Sequence, residues 1–218
     1  MKKLQSTLPN IFLSLTGICL VAGLALSAAN KYTETAIAAS KAAELQNAVR
    51  QVTPAFDNNP TAEKYLVAVA EGDSLTVYPA KKGEMLVGGA VESYSKKGFS
   101  GIIRIMVGFD NEGKVLNYTV LEHSETPGLG SKMDSWFRTE KNQQNIIGQS
   151  MKQGAMQLVK DGGSIDAITA ATISSRAFIE AINLAYTAYS ANDATTGATT
   201  TDSTTGATTT DEKESPQN

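Results

Sequence analysis

From Gly163 to Ser175 the chain reads Gly-Ser-Ile-Asp-Ala-Ile-Thr-Ala-Ala-Thr-Ile-Ser-Ser, and Thr172 is the residue in it best placed for chemistry. Thr169 and Thr172 flank Ala170 and Ala171, and Asp166 stands six residues before Thr172. An apolar pattern follows at once. Ile173, Ala177, Ala181 and Ile182, with Phe178, Ile179 and Leu184 close by, recur at helical spacing. Thr172 therefore sits where a turn enters a helix. Small neighbours leave the backbone open to a bulky group, and a helix N-terminus favours phosphate. The chemistry such a hydroxyl offers is a phosphoester.

The rest of the chain must position that hydroxyl. Residues 11–29, from Ile11 to Ala29, are uncharged and mostly apolar, with Lys2 and Lys3 ahead of them. As a helix this stretch reaches roughly 28 Å, nearly the thickness of bilayer hydrocarbon. The two lysines favour a cytoplasmic segment 1–10, which puts everything after Lys31 outside the cytoplasm. The competing reading is a cleaved signal peptide, with Ser27-Ala28-Ala29 as an acceptable cleavage site. Either way the domain is exported. A lipoprotein is disfavoured, because Ile18 precedes Cys19 where a small residue is expected.

Residues 31–52 form a juxtamembrane helix. From Thr33 to Val52 it is alanine-rich, carries Ile37, Leu45, Ala48 and Val49 towards one side, and is stopped by Pro54 and Asp57-Asn58-Asn59-Pro60. Within residues 60–190, Tyr65–Ala70, Ser74–Tyr78 and Met85–Val91 read as strands. Ile102–Phe109 and Lys114–Leu121 form the clearest hairpin, joined through Asp110-Asn111-Glu112-Gly113. Met156–Val159 reads as a short late strand, and a helix over Thr172–Ser190 closes the domain. Strands in the middle and helices at both ends predict an α+β fold: one domain on a largely antiparallel sheet with flanking helices, behind a transmembrane helix.

Cys19 is the chain's only cysteine and His123 its only histidine, so no internal disulfide and no metal cluster is expected, and an iron–sulfur centre needs about four cysteines. Redox chemistry would have to ride on an organic cofactor. Residues 191–218, with five acidic residues against one lysine, carry −4, which leaves +1 for the rest of a chain of net charge −3. The body is nearly neutral and has no basic stripe, which argues against nucleic acid.

The 163–175 run resembles the flavinylation motif of the FMN-binding domain family. In that motif an aspartate precedes a Ser/Thr-Gly-Ala-Thr segment, and FMN is joined through its phosphate to the last threonine. Asp166 and Thr169-Ala170-Ala171-Thr172 match it, with alanine replacing the usual glycine at 170. Alanine keeps the site small but disfavours positive φ, so a slightly different local turn is expected. The resemblance implies covalent FMN on Thr172, installed by a flavin transferase that recognises the aspartate offset.

The tail repeats the pattern. Asp193 precedes Thr196-Gly197-Ala198-Thr199, and Asp202 precedes Thr205-Gly206-Ala207-Thr208, both with the glycine kept. Yet TTGATTTD, at 195–202 and 204–211, brings no large apolar residue to dock a helix or cover a flavin. Such a tract cannot offset its ordering entropy, so 191–218 is expected to be a disordered tail and Thr172 the site.

A second motif, His123-Ser124-Glu125-Thr126-Pro127-Gly128-Leu129-Gly130, follows the hairpin. Pro-Gly fixes a tight turn, and the glycines allow close approach to a flat ligand. This loop resembles that of the G subunit of the Rnf-type ferredoxin:NAD oxidoreductase, and Gly98-Phe99-Ser100-Gly101 resembles that subfamily's Gly-Tyr-x-Gly element, with phenylalanine in place of tyrosine. The resemblance runs over about residues 8–190 and implies a retained inner-membrane anchor. It further implies an electron carrier working with iron–sulfur, flavin and membrane subunits that couple ferredoxin–NAD electron transfer to cation pumping.

Candidate flavin contacts are Thr172, Asp166, Thr169, Ala170, Ala171 and Ser174 on one segment, and Glu125, Thr126, Gly128 and Leu129 on the other. Several have plainer readings. Glu125 and Thr126 could cap the turn, Asp166 could brace its own, and Ser174 and Ser175 could satisfy free N–H groups of the helix. His123 is read as an ordinary hydrogen-bonded residue, and Trp136 and Phe137 as core. No nucleophile–base pair for a substrate reaction is visible. Three other functions fit less of the chain. They are the C subunit of a sodium-pumping NADH:quinone oxidoreductase, the flavin carrier of an extracellular reductase, and an anchored adhesin with a Thr-rich stalk.

Overall fold

The central strands alternate between two buried faces, and that alternation sets the architecture. The computed structural model describes residues 8–69 and 72–196. Among them, strands β1 (Tyr65–Ala68), β2 (Ser74–Lys82), β3 (Met85–Ser95), β4 (Ile103–Phe109) and β5 (Val115–Glu122) form one antiparallel meander, ordered as in the sequence. Val77, Val91, Ile105 and Val107 point to one face, and Tyr78, Ala90 and Met106 to the other. A sheet apolar on both sides must be covered on both sides. Helix α3 (Thr172–Thr196) covers the first face with Phe178, Ile182, Ala185 and Tyr189; the last turn of α1 (Leu8–Val52) covers the second with Ala48, Val49 and Val52. The expected α+β class and antiparallel sheet are what the chain adopts.

Helix α1 merges the two expected N-terminal helices. No proline or glycine interrupts Ala29 to Thr33, so the apolar stretch and the alanine-rich segment run on as one helix. It ends where Thr53 precedes Pro54, with the Thr53 hydroxyl donating back to the Val49 carbonyl at 2.8 Å. The part up to Ala29 exposes Leu13, Ile18, Leu20, Val21 and Leu24, the composition of a span that lies in lipid. Met1–Thr7, with both lysines, lie outside the described residues.

Strands β2 and β3 each run four residues past their expected ends, and one expected strand and one helix limit differ as well. Met156–Val159 joins no sheet: Leu158 makes a single parallel bridge to Ile165, and Val159–Asp161 is a 3-10 turn. The glycines at 162 and 163 turn the chain back too soon for a strand, and a Cβ at Gly163 would collide with the Gln157 carbonyl. Helix α3 continues past Ser190 to Thr196, because Ala191 and Ala194 sustain a helix after its apolar face has ended. Thr199 and Thr208, the tail candidates, lie outside the described residues.

The α1–sheet seam depends on one small residue. Gly108 on β4 lies directly under the end of α1, and a Cβ there would collide with the Val52 carbonyl. Gly108→Ala should therefore lift α1 from β4 and cost about 1–3 kcal/mol, read as a lower thermal midpoint of the detergent-solubilised chain. An unchanged midpoint would mean that α1 is not seated on this face.

Candidate functional site

Three loop ends meet at one edge of the domain. The segment before β4 brings Phe99, the loop after β5 brings Glu125, Thr126, Leu129 and Gly130, and the entry to α3 brings Ala170 to Ser174. Together they wall a cleft of about 340 Å³, within the range of small-molecule sites. Sequence distance hides this: Ser174 and Glu125 are 49 positions apart, and their side chains are hydrogen-bonded.

Glu125 is the joint. It is only 4% exposed, and its carboxylate accepts the Ser100 N–H at 3.0 Å and the Ser174 hydroxyl. The fit is close on both sides. A Cβ on Gly130 would stand 2.6 Å from the Ser174 hydroxyl and 2.7 Å from the carboxylate, and one on Gly98 would press on the other carboxylate oxygen. The neighbouring Thr126-Pro127-Gly128-Leu129 turn is closed by the Leu129 N–H to the Thr126 carbonyl at 3.1 Å, with Gly128 at φ +74°. That is the turn which Pro-Gly prescribes.

The turn into α3 is as tightly made. The Ala171 N–H reaches the Ile168 carbonyl at 3.0 Å, and Ala170 takes φ +63°. Ala170 thus takes the left-handed conformation that its Cβ disfavours, and carries that strain. The fully buried Ser175 holds the turn in place. Its hydroxyl accepts the Ile168 N–H and donates to the Ala171 carbonyl, each at 2.9 Å. The two serines therefore brace loops rather than cap the helix. Thr172 emerges half-buried at the first position of α3, where the amides of the first turn have no acceptor within the helix.

Of the candidates, Glu125, Thr126, Leu129, Ala170, Ala171, Thr172 and Ser174 line the cleft; Asp166, Thr169 and Gly128 do not. Asp166 faces the 140s segment instead. Its carboxylate accepts the Gln143 N–H at 3.1 Å, and its carbonyl takes the Trp136 indole N–H at 3.0 Å. His123 supports the loop, its Nδ1 accepting the Glu125 N–H at 3.1 Å. Phe137 is core, stacked on Phe178 with ring centres 4.5 Å apart.

Two features escaped the sequence. Lys160, on the 3-10 turn, donates from Nζ to the Thr172 hydroxyl at 3.1 Å. It lies 12 residues upstream in a stretch with no motif, so no local signal marks it. Phe99, Leu129 and Ile173 form an exposed apolar rim, with Phe99 66% open to solvent. A flat apolar rim at one end and a helix start with an ammonium at the other suit a ring system bearing a phosphate.

A larger depression, about 450 Å³, lies on the α1 side of the sheet. Its charges already answer one another: Lys96 pairs with Asp73 at 2.8 Å, and Arg104 and the Tyr78 hydroxyl both turn to Glu92. A ligand there would have to break these pairs to find a partner.

An anchored α+β domain with this cleft is matched over residues 98–187 by the FMN-binding domain family. The chain is 38% identical over 162 residues to the G subunit of the ion-translocating oxidoreductase complex of Yersinia pestis, covering 70% of this chain and 76% of that protein. The corresponding G subunit of Shewanella amazonensis is 31% identical over 192 residues (84% and 88%), and that of Escherichia coli K12 is 36% identical over 168 residues (73% and 80%). The chain belongs to the family of these G subunits.

The strain at position 170 is measurable. Ala170→Gly removes the Cβ penalty of the left-handed turn and gives back part of that gain as unfolded-chain entropy. A net stabilisation of up to about 1 kcal/mol follows, visible as a raised thermal midpoint. A lowered midpoint would show that residue 170 is not held at positive φ.

Proposed function

We propose that this chain is the flavin-bearing electron-transfer subunit of a membrane ion-translocating oxidoreductase complex, with FMN held in the cleft as a phosphoester of Thr172. The observation that carries this reading is the placement of Thr172, at a helix start, on the cleft wall and beside a lysine. Bound FMN supplies one- and two-electron chemistry; the protein sets its position and surroundings. Phe99, Leu129 and Ile173 offer the apolar surface for the ring, while Glu125 and Ser174 fix the walls against which it would lie.

Attachment needs an activated flavin phosphate, such as a flavin–nucleotide phosphoanhydride, presented by a flavin transferase. The Thr172 Oγ–P bond forms and the anhydride P–O bond breaks. The hydroxyl proton is lost and the nucleotide leaves as its monophosphate. Nothing is oxidised or reduced in this step.

Partners are the membrane, iron–sulfur and flavin subunits of the complex, and the electron flow is that between ferredoxin and NAD, coupled to cation movement. The course of α1 supports a partner on the membrane side. Gln51 is bonded to Asn117, whereas Lys41 and Glu44 lie beside Leu121 and Glu122. Towards its apolar end, α1 thus runs with β5 to the edge that carries the cleft. From Lys41 to Ala29 the helix rises only about 18 Å, so the cleft faces the bilayer at short range. The domain itself lies on the extracytoplasmic side.

A proteolytic fragment spanning Thr172 should carry the mass of one FMN less one water, and Thr172→Ala should leave a folded, colourless domain, since one half-buried hydroxyl contributes little to stability. Finding the added mass on Thr199 or Thr208 would move the site to the tail. Orientation is tested separately. Protease added to spheroplasts should digest the domain and spare a short membrane-embedded fragment, whereas full protection would reverse the topology.

A further inference from the structure

Lys160 holds no carboxylate in a close ion pair: its neighbour Asp161 feels its charge but is hydrogen-bonded to Arg176. Among the described residues it forms no ion pair, and its hydrogen bond goes to the neutral hydroxyl of Thr172. The nearby Arg176 is committed elsewhere, its guanidinium donating to Asp161 at 2.7, 2.9 and 3.1 Å. Those hydrogen bonds hold the Asp161 carboxyl below the usual carboxylate range, so Asp161 and Arg176 stay charged and answer each other.

The turn that carries Lys160 is fastened at both ends. The Val159 N–H donates to the Ile165 carbonyl at 2.8 Å, and the Gly163 N–H to the Leu158 carbonyl at 2.9 Å. The Asp161–Arg176 pair then ties the same turn to the first turns of α3. A free surface lysine would sample many directions; this one starts from a backbone fixed beside its target.

We propose that Lys160 is the phosphate-binding residue of the site. Its ammonium pairs with the phosphoryl oxygens of the flavin phosphate, first as that phosphate docks beside the Thr172 hydroxyl and then in the finished phosphodiester. Asp161 and Arg176 act as positioning residues for it. The proposal rests on the attachment reading above. The charges agree with it: a phosphodiester keeps one negative charge, and the site holds one uncommitted ammonium. Lysine suits the task, being a compact charge that can follow the oxygens as the phosphoanhydride gives way to the diester.

The test uses the full chain, purified without flavin, incubated with a flavin transferase and FAD, and sampled for mass over time. Lys160→Ala should slow loading roughly three-fold and Lys160→Glu roughly ten-fold or more, with Lys160→Arg close to the parent. The parent rate should fall with added salt, and the Lys160→Ala rate should fall less. Thermal midpoints of the unloaded variants should match, since the lysine is exposed. When Lys160→Ala is loaded to completion, its phosphorus NMR resonance should move from the parent position, a result that recognition by the transferase alone would not give. A parent chain that never gains mass at Thr172 overturns the attachment reading and this one with it. A parent that loads while Lys160→Glu loads equally fast, or an unmoved phosphorus resonance, overturns the role of Lys160 alone.

Discussion

A carboxylate taken out of water must find hydrogen-bond donors or give up its charge, and Glu125 finds its donors on two other segments. The Ser100 amide belongs to the loop before β4, and the Ser174 hydroxyl to the first turn of α3. Neither segment is otherwise tied to the β5 loop by a long run of backbone bonds, so the cleft takes its shape from this one side chain. The glycines around it follow as a consequence. A Cβ at Gly130 would meet the Ser174 hydroxyl and the carboxylate, and one at Gly98 would meet the Gly101 carbonyl and the other carboxylate oxygen. A polar joint of this kind is worth having only when complete, since a buried carboxylate deprived of either donor would cost more than an apolar contact in its place.

The second constraint is the sheet's need for cover on both faces. Helix α3 meets it on one side with a long apolar stripe, packed through Phe178 and Tyr189. On the other side the cover is the last turn of the helix that carries the apolar stretch. One continuous helix therefore closes the core and carries the apolar stretch. With Gly108 letting the Val52 carbonyl close on β4, and no break between Ala29 and Thr33, the domain is not hung on a flexible tether.

Local pattern explains how much of this is legible in the sequence. The β4–β5 hairpin, the antiparallel sheet and the helix after Thr172 can be read there because alternation and helical spacing are properties of contiguous residues. The loop 123–130 and the segment 166–172 stand out as motifs, and the structure brings Glu125, Thr126, Leu129 and Gly130 of the one to the same cleft as Ala170, Ala171 and Thr172 of the other. What stays hidden comes from distant partners. Ser174 has the sequence setting of a helix-capping hydroxyl and is the donor to Glu125; Ser175 has the same setting and locks the turn before the helix. Lys160 has no neighbour in sequence to give it meaning. Its role depends on a 3-10 turn in place of the expected strand, because nothing in Met156–Val159 foretells that Gly162 and Gly163 reverse the chain. Ala170 misleads for the opposite reason. A conformational preference of about 1 kcal/mol points away from positive φ, whereas Ser175 and the Ala171–Ile168 bond hold the turn against it.

The shape of the cleft bears on why a tether would be used at all. A dissociable cofactor is retained by burial, usually of most of its surface, and this cleft is shallow, with Phe99, Leu129 and Ile173 open to solvent. An electron carrier gains from that openness, since the ring must come close to the redox centres of neighbouring subunits, but openness alone would let the cofactor escape. The bond proposed at the phosphate end would resolve the conflict. It would keep the ring at a high effective concentration beside its surface without enclosing it, at the end of the molecule where no electron is exchanged. The domain then needs to do only two things well: hold the phosphate end rigidly and keep the rim apolar. Glu125, Ser174 and Ser175 are buried and hydrogen-bonded near Thr172, whereas Phe99, Leu129 and Ile173 at the rim are open to solvent.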